Sequence, residues 1–528
     1  MAQIKTHFGS PRWQYEGTSP EQYYAQYGRI WQDVGTLQKA SSLNEFGQAL
    51  TKLNGFYAVV QHQPGQLFAA VDHIRSIPLF YGQRKDMVFL SDEAEWVRQQ
   101  VGDETMDSLA REEFQLTGYV TGQDTLFPNV KQLQAGECVM ITEHSDTPTV
   151  ETQRYYRFLH TEPQDYDKAL LEEKLDRISV ASIQRLIDYA GGRQIVVPLS
   201  GGYDSRLIVA LLKRLGYENT LTFTYGVAGN KESQYSKRVA DALGLRWHFV
   251  EYSNQLWREA WESEERWKYQ KWGSGWSSVA HVQDWLAVKI MKENRVIDSD
   301  AVFVPGHSGD FVAGSHIPDA AFTGEVLDLE DVSHALFQRH YNLAPADFLT
   351  TQEFTWKTRI KKKTEAKGIK APWQYADAYE KWDWQERQAK FICNSVRVYE
   401  FFGYDWWMPL WDKEFVEFWQ NVPLALRKNR TWCIGYIKKS YNEQMSDKTE
   451  GLGNASESPV SHIKKKASKI PFARKVYSYI KPKKQNQHPL ALYGRYGRKE
   501  HKNLMGKGFS IVGLNAHDFL RQANKMIK

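Results

Sequence analysis

The chain has 528 residues, with 68 Lys+Arg against 63 Asp+Glu, 42% hydrophobic residues and three cysteines. That is enough for two or three domains with real cores, and the ordinary composition excludes disordered, collagen-like and coiled-coil architectures for most of it. No apolar run reaches the ~20 residues of a membrane span, Met1–His7 has no apolar signal core, and Cys138, Cys393 and Cys433 lack metal or disulfide spacing, which together predict a cytoplasmic protein without a redox metal.

The first part, residues 1–160, reads as β-rich. Leu53–Val60, Gln66–Asp72 and Met87–Ser91 are strand-like apolar runs separated by Pro-Gly or polar turns, and Gln134–Thr142 reads as a turn leading into another strand. A polar break at Thr161-Glu-Pro-Gln-Asp predicts a domain boundary, with the second domain spanning 166–455. There the pattern becomes helix (Leu170–Tyr189), strand (Gln194–Leu199), Gly-rich turn, helix (Ser205–Leu215), strand (Thr220–Tyr225), helix ending near Leu243, and strand (Trp247–Tyr252). Alternating β and α at this spacing predicts a parallel sheet with right-handed crossovers.

Five tryptophans, Trp257, Trp261, Trp267, Trp272 and Trp276, follow within twenty residues. Flat aromatic faces suit a saccharide platform, while plain core or interface packing is the favoured reading. Residues 280 to 432 read as mostly helical. Charge is uneven: Pro459–His517 holds 14 Lys+Arg and one acid, Glu500, leaving −8 for the rest of the chain. Residues 456–528 therefore read as a basic extension, either solvated or contacting an anionic membrane or polyanion; nucleic acid is disfavoured without a binding module.

The most informative residues are Ser200-Gly201-Gly202-Tyr203-Asp204-Ser205, between a strand and a helix. Two glycines allow close approach of an anion to backbone N–H groups at a helix N-terminus, and two hydroxyls add donors. Asp204 repels phosphate directly, so a bridging Mg²⁺ is the chemistry that reconciles it with an anion. Neither a Walker A loop nor GxGxxG is present.

This turn resembles the SGGxDS loop of the N-type ATP pyrophosphatases, and its surroundings resemble the asparagine synthetase family. Thr222-Phe-Thr-Tyr-Gly with Glu232-Ser and Val239-Ala is similar to that family's second strand and helix. Pro305-Gly-His-Ser-Gly-Asp310-Phe-Val-Ala-Gly314 resembles its GEGxDExxGG loop, and Asp405-Trp-Trp-Met-Pro-Leu-Trp-Asp412 its ExRxPFLD segment, with Asp405 at the Glu position. In the first domain, Leu53-Asn-Gly-Phe-Tyr-Ala, Asp72…Ile77-Pro-Leu-Phe-Tyr and Leu90-Ser-Asp-Glu resemble the glutaminase landmarks. The resemblance implies an N-terminal αββα Ntn-like β-sandwich joined to a doubly wound parallel-sheet PP-loop domain with added helices. It implies ATP as cofactor with Mg²⁺ on Asp204 and Asp310, and nucleotide contacts from Ser200, Gly201, Gly202, Asp204, Ser205 and Tyr225. A catalytic lysine is expected among Lys464, Lys465 and Lys466, with Lys466 assigned.

The implied reaction is AMP- and pyrophosphate-forming amide synthesis: a carboxylate is adenylated, then aminated. Residue 2 is Ala where hydrolysing members carry Cys, and no glutamine-holding segment is found. The expectation is a degenerate glutaminase domain, with nitrogen from ammonia, a separate glutaminase, or an amine in the substrate. His307, Phe311 and Trp407 stand where the family has charged residues, which argues against aspartate. A uronic acid of a surface polysaccharide is the favoured carboxylate. An intramolecular cyclase of the β-lactam synthetase or lasso-peptide type, asparagine synthesis itself, a non-catalytic nucleotide-binding scaffold and an RNA-modifying PP-loop enzyme are the alternatives.

Overall fold

A computed structural model describes residues 3–19, 21–143, 147–345, 350–366, 368–445 and 493–527. Ten strands build the first part: β1 (Gln3–His7), β2 (Gln14–Ser19), β3 (Gln22–Ile30), β4 (Gly55–Gln63), β5 (Gln66–Val71), β6 (Phe80–Arg84), β7 (Met87–Ser91), β8 (Lys131–Gln132), β9 (Glu137–Thr142) and β10 (Thr149–Arg154). They form a four-stranded sheet ordered β1-β7-β6-β8 and a six-stranded sheet ordered β10-β9-β5-β4-β3-β2.

Period-2 alternation sorts the side chains of these strands into layers. In β4, Phe56, Ala58 and Val60 enter a core shared with Tyr81, Val88 and Leu90 of the other sheet. Tyr57 and Val59 point the other way, onto Phe46 and Leu50 of the helix Leu43–Leu50. Phe80 and Phe89 meet Val97 and Phe114, from the helices Ala94–Val101 and Ser108–Thr117. Helix, sheet, sheet, helix is thus the layering of this part.

After an irregular stretch, Asp167 caps the helix Lys168–Ala190 by accepting from the Ala169 and Leu170 N–H groups. Five strands then form one parallel sheet, β11 (Ile195–Pro198), β12 (Thr220–Gly226), β13 (Arg246–Glu251), β14 (Val302–Phe303) and β15 (Asp405–Trp406), ordered β13-β12-β11-β14-β15. The order runs outward from β11 first one way and then the other. Loops leaving β11 and β14 therefore diverge at a topological switch point, the place where open parallel sheets bind ligands.

Among the described residues the span 280–432 is mostly helical, as its sequence reads, with the two-residue strands β14 and β15 set among its helices and loops. The tryptophan run is mostly core: Trp257, Trp261, Trp267 and Trp276 are buried, and Trp272 alone of the five is exposed, at 38%. A saccharide platform of five rings is thereby excluded.

The C-terminal extension is not wholly a solvated tail. Residues 493–527 fold into two helices, Tyr493–Gly506 and Ile511–Ile527, which bury Phe509, Leu514, Phe519 and Leu520. Phe519 packs on Phe114 of the first part, and Arg266 donates to Gln522 at 2.9 Å. The basic run 462–484, and with it the expected membrane contact, lies outside the described residues. Among the described residues no helix is long and apolar enough to cross a membrane.

Candidate functional site

Strand β11 is buried through Ile195, Val196 and Val197 and ends at the Ser200–Ser205 turn. Gly202 is the N-cap of the helix Tyr203–Arg214 and supplies no side-chain cap, so the first N–H groups of the helix stay available to a ligand. The hydroxyls shape the turn from inside. Ser200 Oγ accepts from the Gly202 N–H at 3.1 Å, and Ser205 Oγ accepts from the Ser200 N–H at 3.3 Å. Thr224 of β12 donates to the Leu199 carbonyl at 2.5 Å and ties the neighbouring strand to the turn.

The second loop leaves β14 and comes down on the first. A Cβ at Gly306 would lie 2.7 Å from the Ser205 nitrogen, and one at Gly309 would lie 3.0 Å from Asp204 Oδ1. Both glycines are therefore needed for the approach. Ser308 adopts the left-handed conformation (φ 64°) and donates to Gln388 Oε1 at 2.7 Å. Asp310 follows in the first turn of the short helix Gly309–Val312, and its backbone N–H bonds the Asp204 carboxylate. The two aspartates, 106 positions apart in sequence, thus share one cleft.

Each carboxylate already has a cationic neighbour. Asp204 Oδ1 accepts from Arg430 Nη1 at 2.6 Å. Asp310 Oδ2 lies 3.5 Å from His316 Nε2, and the other ring nitrogen, Nδ1, lies 2.6 Å from Asp383 Oδ2. Gln388 donates to the buried Asp383 at 3.1 Å. Burial pulls His316 down, but the charges of Asp383 and Asp310 outweigh it and raise the imidazole to about 9. Burial also pushes Asp204 up, to about 6, against the pull of Arg430 and with help from Asp310. In Asp310 burial acts in the same upward direction, yet the hydrogen bond and charge of His316 hold it well below the usual carboxylate range.

Arg430 was not legible from the sequence. It caps the helix Thr431–Asn442 with φ 48°, directly after Asn429 at φ 52°. Left-handed backbone costs roughly 1–2 kcal/mol per residue, and asparagine bears it better than arginine. The turn is held by Arg427, fully buried, which donates to Glu380 at 2.6 and 2.8 Å and to the Val312 carbonyl at 3.0 Å. Tyr203 of the first turn has three cations on its ring: Arg206 at 5.1 Å, Lys438 at 5.6 Å and Arg430 at 5.8 Å.

Tyr225, at the end of β12, lies at the same sheet end and stacks on Tyr252 at 5.2 Å. Lys464, Lys465 and Lys466 lie outside the described residues. Asp405, at the Glu position of the resembling segment, lies away from the cleft. It opens β15 beside Val302 and pairs with Arg193 at 2.6 Å, at the opposite end of the sheet from the two loops. Phe311 and Trp407 are buried, on Phe158 and Tyr189 respectively. His307 bonds Ser395 at 2.6 Å, and burial pulls its pKa down to about 4.

Residues 190–441 match the asparagine synthase family model, and residues 36–156 match the glutamine amidotransferase domain model. The two matches together support an asparagine synthetase-family protein. The asparagine synthase-like part follows a glutamine amidotransferase-like domain along the chain. No curated protein matches it. Among solved structures it is similar to glutamine phosphoribosylpyrophosphate amidotransferase from B. subtilis complexed with ADP and GMP. The identity is 9% and the TM-score 0.19, with 56% of this chain and 63% of that one covered. It is similar also to a structure described as the allosteric regulatory enzyme of purine biosynthesis, at 11% identity and TM-score 0.18, covering 56% and 58%. The chain thus spans less than two thirds of either.

Proposed function

We propose that the cleft between the Ser200–Ser205 turn and the 305–310 loop binds MgATP, and that the chain joins a carboxylate to an amine through an acyl-adenylate. The observation that carries this is the convergence of Asp204 and Asp310 at an uncapped helix N-terminus on the switch point of the sheet. Two carboxylates suit Mg²⁺, which keeps several waters and takes further oxygens from phosphate. Bound there, the metal supplies neutralisation of the charge that builds on the leaving pyrophosphate.

The chain's own groups do the rest. N–H groups of Gly201 and Tyr203 face the leaving pyrophosphate, with Ser200, which takes the Gly202 N–H, and Ser205 shaping the turn. A substrate carboxylate oxygen bonds the α-phosphorus as the bond to pyrophosphate breaks. An amine nitrogen then bonds the carbonyl carbon as AMP leaves and the nitrogen loses a proton. One of Lys464, Lys465 and Lys466, with Lys466 assigned, completes the charge on the phosphates.

The acid is taken to be other than aspartate. Where the family carries charged residues, His307 turns to Ser395 while Phe311 and Trp407 are packed into the core, so no charge stands at those positions for an α-amino acid. A uronic acid of a surface polysaccharide is the substrate we propose. The first domain hydrolyses no glutamine. Its cysteine, Cys138, is buried in β9 with its thiol on the Gln153 carbonyl, and burial pushes it up to about 12, which leaves no thiolate for attack. Nitrogen then comes as ammonia, from solution or a separate glutaminase.

The test is ATP–pyrophosphate exchange with Mg²⁺, offering aspartate, uronic-acid sugar nucleotides and a cell extract. Exchange that depends on a uronic acid and disappears in Asp204→Asn and Asp310→Asn is the expected result. Exchange on aspartate alone refutes the substrate, and absence of both exchange and ATP binding by calorimetry refutes the enzyme reading.

A further inference from the structure

We propose that Arg430 is a movable counter-cation, which holds the metal position on Asp204 until nucleotide arrives and then transfers its guanidinium to the phosphates. This rests on the MgATP reading of the same cleft.

The two carboxylates are neutralised in unlike ways. His316, beside Asp310, is gripped from behind by Asp383 at 2.6 Å, a fully buried carboxylate itself held by Gln388. That imidazole has nowhere to go. Arg430 is fixed through its backbone, by the turn that Arg427 anchors, while its long side chain reaches forward over the Tyr203 ring to Asp204. A guanidinium on a flexible stem, resting on an aromatic face, can change partner without any backbone movement.

Occupancy of Asp204 Oδ1 is the second point. The hydrogen bond at 2.6 Å uses an oxygen a divalent ion would need, so protein cation and metal compete for it. The same oxygen lies against Gly309, where an added Cβ would come within 3.0 Å, so the second loop closes one side of it. A ligand that brings its own metal displaces the arginine and also offers it a better partner. Planar bidentate pairing with phosphate oxygens is what a guanidinium does best. Lys438, 5.6 Å from the same tyrosine ring, adds a second positive charge on this side of the cleft.

A bridge that served packing alone would not require two consecutive left-handed residues to aim it. Asn429 and Arg430 both carry that strain, at φ 52° and 48°. Strain retained beside a site is a mark of function when the surrounding structure enforces it, and here the buried Arg427–Glu380 pair does so.

The experiment is calorimetry on the full chain with two probes, Mn²⁺ alone and magnesium pyrophosphate. It compares the parent protein with Arg430→Ala, Arg430→Gln and Arg430→Lys. The expected result is opposite movement: Arg430→Ala and Arg430→Gln bind Mn²⁺ about 10-fold more tightly and magnesium pyrophosphate about 10-fold more weakly, while Arg430→Lys retains most of the pyrophosphate affinity. Arg430→Gln keeps the side-chain methylenes and a polar end without the charge if Arg430→Ala fails to fold. Weaker binding of both probes makes the arginine a structural bridge and overturns the proposal. Unchanged Mn²⁺ affinity overturns it as well, and so does unchanged pyrophosphate affinity. If the parent protein itself binds no magnesium pyrophosphate, the MgATP reading fails first and this proposal falls with it. That outcome is distinct from a parent that binds and a variant that binds equally.

Discussion

Replacing Gly306 by alanine tests directly whether the closeness of the two loops matters. The added Cβ would stand 2.7 Å from the Ser205 nitrogen, 3.0 Å from its Cα and 3.2 Å from the Asp204 carbonyl carbon. All three are backbone atoms in the first turn of the helix Tyr203–Arg214, whose Ser205 and Arg206 are buried. They have no freedom to retreat, so the 305–310 loop must. Restoring an ordinary 3.4 Å contact moves it by about 0.7 Å and carries Asp310 away from Asp204. Overpacking of this kind costs about 1–3 kcal/mol of stability, and a misplacement approaching 1 Å costs up to about 10²-fold in a positioned site. The assay is MgATP affinity by calorimetry beside the thermal midpoint. Gly435→Ala is the control: it is an exposed position inside the helix Thr431–Asn442 with nothing within 4 Å of an added Cβ. It should leave ATP affinity alone and stabilise by up to ~1 kcal/mol. A Gly306→Ala protein with the parent's ATP affinity and midpoint would refute the claim that loop contact builds the site.

Three further expectations follow from buried groups. Arg427→Met leaves Glu380 buried without its cation, a loss of about 3–5 kcal/mol; the double variant Arg427→Met/Glu380→Met should recover most of it in a denaturant titration. Ellman's reagent should find no reactive thiol in the native protein and three in denaturant, because Cys138, Cys393 and Cys433 are all buried with thiols pushed upward. A fast native thiol would reopen the question of a cysteine nucleophile. His73 and His340 are pulled down by burial, each to about 3. Their depressed folded values mean stability is complete above the unfolded value near 6.5 and is lost as pH falls. By pH 5 the loss is about 2 kcal/mol for each, and His73→Gln should flatten the fall in thermal midpoint between pH 6.5 and 5.

Legibility followed the range of the interactions. Ser200–Ser205 could be read because its chemistry is local: two glycines, a strand before and a helix after. Asp310 came only through resemblance, since β14 has two residues and no hydrophobic period to announce the loop behind it. Arg430 reaches Asp204 across 226 positions, and nothing in Lys428-Asn429-Arg430 says where that side chain goes. The tryptophan run reads first as core packing and four of its five rings are buried, but which partners bury them is set by tertiary contacts such as Phe519, which packs on Trp267 and Trp276 from the far end of the chain.

Asp405 and Asn54 show what likeness of a motif leaves undetermined. Asp405 occupies the Glu position of the resembling segment, and its carboxylate joins Arg193 and Arg12 at the end of the sheet away from the two loops. Asn54, in a glutaminase landmark, donates to the Asp412 carboxylate at 3.3 Å and accepts from the Lys413 N–H at 3.2 Å. Arg185 grips the same carboxylate at 2.6 and 2.7 Å. The landmark side chain is therefore spent on joining the amidotransferase-like domain to the synthetase-like one. Across the same boundary His73 bonds the Trp411 carbonyl and Trp384 bonds the His73 carbonyl. The first domain has kept its layers and become a buttress for the segment that carries Pro409, Leu410 and Trp411. Leu410 is the side chain that an added Cβ at Gly309 would strike first, at 2.6 Å. The support thus runs from Asn54 through Asp412 to the loop that places Asp310, a structural task for the amidotransferase-like fold that is independent of any glutamine chemistry.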